Sequence, residues 1–311
     1  MISIVVAARD ISKEKEILAN LNGCGAEVII VEGRNPSFQR NEGIRLAKGD
    51  TVYFADDDSI IAKDVFLKAE LELENDASIS VLGGPSLTPK ADSFIQRAFG
   101  AVFSSPWASG KSSARYRRAG IKRATDEKEL ILCNLFVRKA VFEKTGQFRE
   151  DLYPNEENDF LNRAQAAGFK LVYDPDIYVE RSQRKTYGKF IRQCFTYGRG
   201  RAEQMLIAFS RKDVINTVPA FFVLYLLYLA LTGPAVEELM PLFIYMAGTL
   251  FFSFRDSAPA GGVKAAPVLL LNFLLLHVMY GAGFLYGIFR GIVIRDKKFD
   301  RKIEAKIVTR Q

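Results

Sequence analysis

Thr51-Val52-Tyr53-Phe54-Ala55-Asp56-Asp57-Asp58 is five apolar or β-favouring residues run straight into three carboxylates. The first five read as a strand buried on both faces, which is how strands of a parallel sheet look in sequence. In extended chain residues i and i+2 point the same way, so Asp56 and Asp58 are expected to converge while Asp57 points away. Two carboxylates on one spot repel unless a cation sits between them. Hard oxygen ligands at a strand end suit Mg²⁺ or Mn²⁺, which keep coordination positions for phosphate oxygens.

Working outward, Ile2–Ala7, Glu27–Val31 and Ile79–Gly83 read as further strands, and Lys13–Leu21, Arg40–Ala47 and Lys63–Glu74 as helices between them. That alternation predicts a doubly wound, mainly parallel α/β sheet, whose ligands bind beyond the carboxyl ends of the strands. Leu130–Val137 and Leu171–Tyr173 are expected as later strands. A helix is expected to open at Pro154-Asn155-Glu156-Glu157-Asn158-Asp159 and stop at Gly168. The apolar start, Met1 to Ala8, is short and lacks a basic leader, so it reads as the first strand and not as a signal peptide.

Composition excludes several chemistries. Hydrophobic residues make up 49% and charged residues 25% of 311, which excludes wholesale disorder. Cys24, Cys133 and Cys194 are too scattered for a metal pair or a disulfide framework. His277 is the only histidine and lies in an apolar run, so a Ser-His-Asp triad in the first two thirds is excluded. Acid–base work there falls to carboxylates, lysine or tyrosine. Residues 104–128 read as a long basic loop holding Arg115, Arg117, Arg118, Lys122 and Arg123, either a solvated face or a flap over an anionic ligand or membrane surface.

Beyond Arg211-Lys212 the character changes. Residues 214–232 and 266–289 carry no charged side chain. Apolar segments at about 213–232, 239–254 and 266–289 compare with the roughly 20 residues that cross a bilayer core. A soluble part over 1–205, a membrane part over 206–295 and a basic tail over 296–311 are therefore expected. Basic residues flank both ends of the membrane part, which places both ends in the cytosol and calls for an even number of crossings. The middle segment, the shortest, is the one expected not to cross fully.

With these pieces in order, the first 200 residues resemble a family 2 glycosyltransferase of the GT-A fold. The likeness runs through Asp56-Asp57-Asp58, Cys133–Arg138, Val141–Phe148, Glu156–Arg163, Tyr173-Asp174-Pro175 and Arg192–Gly200. The last segment is similar to one that precedes the membrane helices in members that build exopolysaccharides. The resemblance implies a nucleotide-diphosphate sugar donor bound at Asp56 and Asp57, with Mg²⁺ or Mn²⁺ at Asp56 and Asp58. It implies nucleobase and ribose contacts at Ala7, Arg9 and Glu32, where the family usually has Pro for Ala7 and Asp for Glu32. It implies Glu157 as general base, in a Glu-Glu pair where the family has Glu-Asp. Arg40, near the second strand's end, offers a phosphate clamp.

These readings give an enzyme: a metal-dependent, inverting glycosyltransferase of polysaccharide biosynthesis that extends a lipid-linked or glycan acceptor at the cell membrane. It would be multi-pass, with the catalytic domain cytosolic and no nucleic acid as partner. A polyprenyl-phosphate sugar synthase, whose acceptor needs no base, and a non-catalytic nucleotide-sugar scaffold are the alternatives. Processive synthesis is disfavoured, since no Gln-x-x-Arg-Trp segment is present and Trp107 is the only tryptophan.

Overall fold

The computed structural model describes residues 1–21, 26–62, 64–293 and 303–309. In chain order the elements are β1 (Ile2–Ala8), α1 (Glu14–Asn20), β2 (Glu27–Gly33), α2 (Pro36–Leu46), β3 (Thr51–Asp56), β4 (Ser59–Ile61), α3 (Asp64–Asn75), β5 (Ile79–Gly83) and β6 (Ser86–Leu87). There follow α4 (Phe94–Phe103), α5 (Pro106–Ser109), β7 (Arg123–Ala124), β8 (Asn134–Arg138), α6 (Lys139–Thr145), α7 (Glu156–Ala166), β9 (Lys170–Tyr173) and β10 (Val179–Arg181). The chain closes with α8 (Tyr187–Ile207), α9 (Val218–Thr232), α10 (Met240–Arg255), α11 (Ala266–Val293) and β11 (Ile303–Thr309). Two compact units result. One holds Met1–Pro89, Ala114–Ser182 and the C-terminal strand, and the other holds Lys90–Ser113 and the chain from Gln183 through α11.

The first unit is built on an eight-stranded sheet ordered β11-β2-β1-β3-β8-β5-β9-β7. Pairs β2–β1, β1–β3 and β5–β9 are parallel. Strand β8 runs antiparallel to β3 and to β5, and β7 and β11 close the two edges antiparallel. The sheet is therefore mixed, with parallel runs β2-β1-β3 and β5-β9 on either side of the antiparallel β8. Strand alternation sends Ile4, Val6 and Tyr53 to one face, under Ile17 of α1 and Phe66 of α3. It sends Val5, Val52 and Phe54 to the other, under Phe142 of α6 and Phe160 of α7.

Helix α2 starts at Pro36, four residues before the expected Arg40. Asn35 caps it, its Oδ1 accepting from the Ser37 and Phe38 amides at 3.1 and 3.2 Å, and Pro36 occupies the first turn where no amide partner is needed. The helix lies so close to β1 that a Cβ on Gly43 would come within 2.3 Å of the Val5 side chain. Strand β8 covers only the second half of the expected Leu130–Val137. Leu130, Leu132 and Cys133 are buried, but in irregular backbone. A second sheet, β4-β10-β6, follows directly from the acidic triplet.

Among the described residues the second unit contains three helical segments long and apolar enough to cross a membrane: Asp213–Thr232, Val236–Arg255 and Val263–Ile292. The middle one, expected as the short segment, reaches 20 residues with a mean hydropathy of 1.2 against 2.0 for the other two. Helices α8 and α11 pack backbone to backbone, since a Cβ on Gly283 would fall 2.0 Å from the Phe195 carbonyl oxygen. His277 lies 2.9 Å through Nδ1 from the Tyr245 hydroxyl and edge-on to Trp107, whose indole N–H donates to Thr249. It is a satisfied packing residue. Cys133 and Cys194 are free and buried, while Cys24 and the expected tail residues 296–302 lie outside the described residues.

Candidate functional site

Strand register assembles the site. Ala7 is the residue of β1 directly beside Val31 of β2 and Asp56 of β3, and Ala8 pairs with Glu32. Gln39 of α2 holds these strand ends together, its Nε2 donating to the carbonyls of Ala8 and Val31 at 2.7 and 2.6 Å. Ala7, Glu32 and Asp56 thus meet at the carboxyl edge of three parallel strands, where α/β sheets bind ligands.

The acidic triplet leaves the strand as a turn, with Asp57 and Asp58 in turn conformation and β4 beginning at Ser59. Asp56 and Asp58 nevertheless converge. Arg181, the last residue of β10, lies 3.0 Å through one terminal nitrogen from Asp56 Oδ2 and 2.7 Å through Nε from Asp58 Oδ1. Its position follows from register, because β10 runs antiparallel to β4 with Arg181 opposite Ser59. The Asp57 carboxylate instead accepts from the Arg9 backbone amide, and burial, then Asp58 and Asp56, raise its pKa. The cation between the carboxylates is thus an arginine, a residue that the sequence reading did not single out.

Arg40, expected as a phosphate clamp, is a buried residue. It is 7% exposed and joins two acids, donating to Asp56 Oδ1 at 3.1 Å and to Glu156 Oε1 at 2.8 Å. Burial works against its charge, and Asp56 and Glu156 outweigh it. Glu156, 3% exposed, has its pKa pushed up to about 7, first by burial and then by Glu157, against the pull of Arg40. Glu157 lies in the first turn of α7, beside a terminal nitrogen of the buried Arg115 at 3.5 Å. Arg115 also donates to the Asn158 side chain and to the Glu127 carbonyl. The segment before α7 is laced to α2: Asn41 exchanges two hydrogen bonds with the Phe148 backbone, and Ser37 donates to the Leu152 carbonyl. Asn155, at φ 84° just before the helix, accepts from Asn158.

One continuous chain of charges therefore runs Asp58–Arg181–Asp56–Arg40–Glu156, with Glu157 and Arg115 beside its end. Buried polar atoms without a protein partner gather on the same residues and their neighbours: Arg40 Nε, Ser59 Oγ, Arg115 Nε, Asn155 Nδ2 and Glu156 Oε2. Buried polar atoms of this kind call for a partner such as water, an ion or a ligand. Glu32 is partly engaged, its Oε2 accepting from the Ile11 amide at 2.9 Å, while Arg9 is exposed. Cys133 is held neutral, its pKa raised to about 11 by burial and then by Asp56.

Among the described residues no three His, Cys, Asp or Glu side chains gather as a metal cluster. Asp56 and Asp58 do present two hard oxygens to one cation. That donor set fits a divalent ion completed by diphosphate oxygens and water. Three of the basic residues of 104–128 pair with acids beyond the segment: Arg118 with Asp176, Lys122 with Glu72, and Arg123 with Glu129 while stacking on Tyr173. An open cleft of about 500 Å³ between Glu72, Lys122, Arg118 and Asp174 contains none of the site residues.

Comparison with known proteins adds three likenesses. Residues 4–200 match the family described as glycosyltransferase like family 2. A curated relative is the dolichyl N-acetyl-α-D-glucosaminyl phosphate 3-β-D-2,3-diacetamido-2,3-dideoxy-β-D-glucuronosyltransferase of Methanococcus voltae, 24% identical over 290 residues, which span 92% of this chain and 84% of that one. Among solved structures, a mannosyltransferase of Pyrobaculum calidifontis in complex with GDP-Man and Mn²⁺ aligns with a TM-score of 0.53 at 14% identity, covering 92% of this chain and 86% of that one.

Proposed function

The chain belongs to the glycosyltransferase like family 2, and from that premise we propose that it moves a sugar from a nucleoside diphosphate donor, with inversion, onto a hydroxyl of a lipid-linked glycan at a membrane. The observation that carries the reading is the charge chain joining the Asp56–Asp58 pair to the start of α7, where Glu157 stands. It ties a cation-binding end to a base-bearing end through the buried Arg40.

In this reading Ala7, Arg9 and Glu32 line the nucleoside side at the ends of β1 and β2, and Asp56 and Asp57 face the donor. Asp56 and Asp58 would hold a divalent cation, which supplies charge neutralisation for the departing diphosphate. Arg40 fixes the Asp56 carboxylate and, through Glu156, the first turn of α7. Glu157 takes the proton of the acceptor hydroxyl as that oxygen attacks the anomeric carbon from the face opposite the diphosphate. A single displacement inverts the centre. The Mn²⁺ and GDP-Man named for the Pyrobaculum structure support a divalent metal and a nucleotide sugar. The dolichyl phosphate-linked sugar in the Methanococcus enzyme's name supports a lipid-linked acceptor.

For organisation, we read residues 1–205 as the catalytic part on the cytosolic side, 206–295 as the membrane part and 296–311 as the tail. The three long apolar segments support insertion in a bilayer. The decisive test is Glu157→Gln, which keeps shape and loses the base. Transfer is expected to fall by roughly 10²–10⁴-fold, with nucleoside diphosphate binding little changed. A rate within threefold of wild type at saturating donor refutes the base. It would move the reading to a polyprenyl phosphate acceptor, which is already ionised.

A further inference from the structure

Asp56 has both carboxylate oxygens in use. Oδ1 faces Arg40 and Oδ2 faces Arg181, while Asp58 Oδ1 faces Arg181 as well. One guanidinium therefore stands at the point on which the two acids converge, and a guanidinium does not lose its charge at any working pH. A divalent ion at that point would meet the guanidinium's like charge and compete with it for the same oxygens. The two arginines differ in how they are held. Arg40 is sealed between two carboxylates with its side chain 8% exposed, whereas the Arg181 side chain is 26% exposed at the end of a three-residue strand. Arg181 is the more exposed of the two, and its displacement strands no deeply buried acid, since Asp56 keeps Arg40 and Asp58 is 48% exposed.

We propose that Arg181 is a resident counter-ion: it occupies the cation position between Asp56 and Asp58 until a metal arrives together with a nucleoside diphosphate. The proposal rests on the metal reading of Asp56 and Asp58. In the donor-free protein the arginine neutralises the pair and competes with metal. When the nucleotide is present, its diphosphate offers the displaced guanidinium a new anionic partner and adds oxygens to the ion. Metal alone then binds weakly, metal with nucleotide binds tightly, and by linkage each strengthens the other equally. Arg181 is thus a positioning residue that keeps the site from filling without a donor.

The test is Mn²⁺ binding to the full-length protein in detergent, followed by loss of the free Mn²⁺ resonance signal, with MnCl₂ alone and then with UDP or GDP. Wild type is expected to bind Mn²⁺ at least about tenfold more tightly with one of the nucleotides than without. Arg181→Met should tighten binding of Mn²⁺ alone by at least about tenfold and shrink the nucleotide's effect. Arg181→Lys, which restores the charge, should return it toward wild type, and Arg181→Gln serves if the Met variant fails to fold. Adding Asp58→Asn to Arg181→Met should abolish the gain, and a gain that survives overturns the proposal. Equal or weaker binding of Mn²⁺ alone to Arg181→Met, with wild type still binding Mn²⁺ and nucleotide through Asp58, overturns the counter-ion role and leaves the metal site standing. No Mn²⁺ binding by wild type with either nucleotide refutes the metal reading itself, and this proposal with it.

Discussion

Arg40→Met tests whether the site is held together by charge. Arg40 is 7% exposed, and Glu156, its partner at 2.8 Å, is 3% exposed. Removing one member of a buried ion pair costs about 3–5 kcal/mol, because the survivor is left charged and dry. Two features place this case near the lower figure. Asp56 keeps Arg181 after the change, so Glu156 is the acid left stranded. Arg40 Nε and Glu156 Oε2 already lack protein partners, so the network starts incomplete. About 3 kcal/mol corresponds to a Tm loss of about 6–12 °C for a unit of this size. The sign with pH is set by Glu156, whose folded pKa, already raised to about 7, rises further without the guanidinium. A raised carboxyl costs stability as pH climbs from its unfolded value through its folded one; wild type and variant share that cost up to pH 7, so the loss is greater at pH 8 than at pH 5 by at most about 1.4 kcal/mol, over a remainder that does not vary with pH. Thermal unfolding of the detergent-purified variant at both pH values reads this directly. A Tm within 2 °C of wild type at pH 8, or an equal loss at both pH values, refutes the reasoning.

Three further outcomes are expected. Glu156→Gln should gain stability relative to wild type between pH 4.5 and 7, by about 3 kcal/mol in all, since a carboxyl held near 7 carries that cost once ionised; a difference flat across that window in thermal melts would contradict it. Asp58→Ala should lower donor turnover at least about a hundredfold, and excess EDTA should stop wild type until Mg²⁺ or Mn²⁺ is restored; full turnover in EDTA removes the metal from the scheme. Gly283→Ala should destabilise the helical unit by about 1–3 kcal/mol, because its Cβ would lie 2.0 Å from the Phe195 carbonyl, whereas Gly188→Ala, on an open stretch of the same unit's α8, should be neutral or slightly stabilising in parallel melts.

Much of the fold was legible because its information is local. Ile79–Gly83 forms a strand over the expected residues, and the other early strands agree within one or two residues, since a short apolar run between polar turns is a local signal. Strand direction is not local. Nothing in Asn134–Arg138 says that it will run antiparallel between β3 and β5. The start of α2 is encoded in Asn35-Pro36, a cap followed by a first-turn proline, whereas the charged Arg40-Asn41-Glu42 suggests a boundary four residues later. Basic charge dominates the tail's composition, yet Ile303–Thr309 carries β-favouring residues and pairs antiparallel with β2. For the site, the convergence of Asp56 and Asp58 follows from the triplet itself. Arg181 does not, because it lies 123 residues from Asp58 in a strand with no motif around it, and only the β4–β10 register brings it there.

The three arginines divide the electrostatic work by how deeply each is set. Asp56, Asp57, Asp58, Glu156 and Glu157 would together repel strongly if left alone at one sheet edge. Arg40, buried, binds one acid from each cluster and cannot leave without stranding Glu156. Arg115, also buried, holds the first turn of α7 by Asn158 and stands 3.5 Å from Glu157. That separation is longer than a charge-assisted hydrogen bond, so Glu157 is not pinned as Glu156 is. Arg181, partly exposed, meets Asp56 and Asp58, the pair proposed to hold the divalent cation. Fixed charges thus sit where geometry must be kept, and the exchangeable charge sits where a ligand must enter. A fixed arginine between Asp56 and Asp58 would have closed the site, and none at all would have left two bare carboxylates to repel the incoming diphosphate. A partly exposed guanidinium avoids both, which is why its depth, more than its charge, is the feature to vary first.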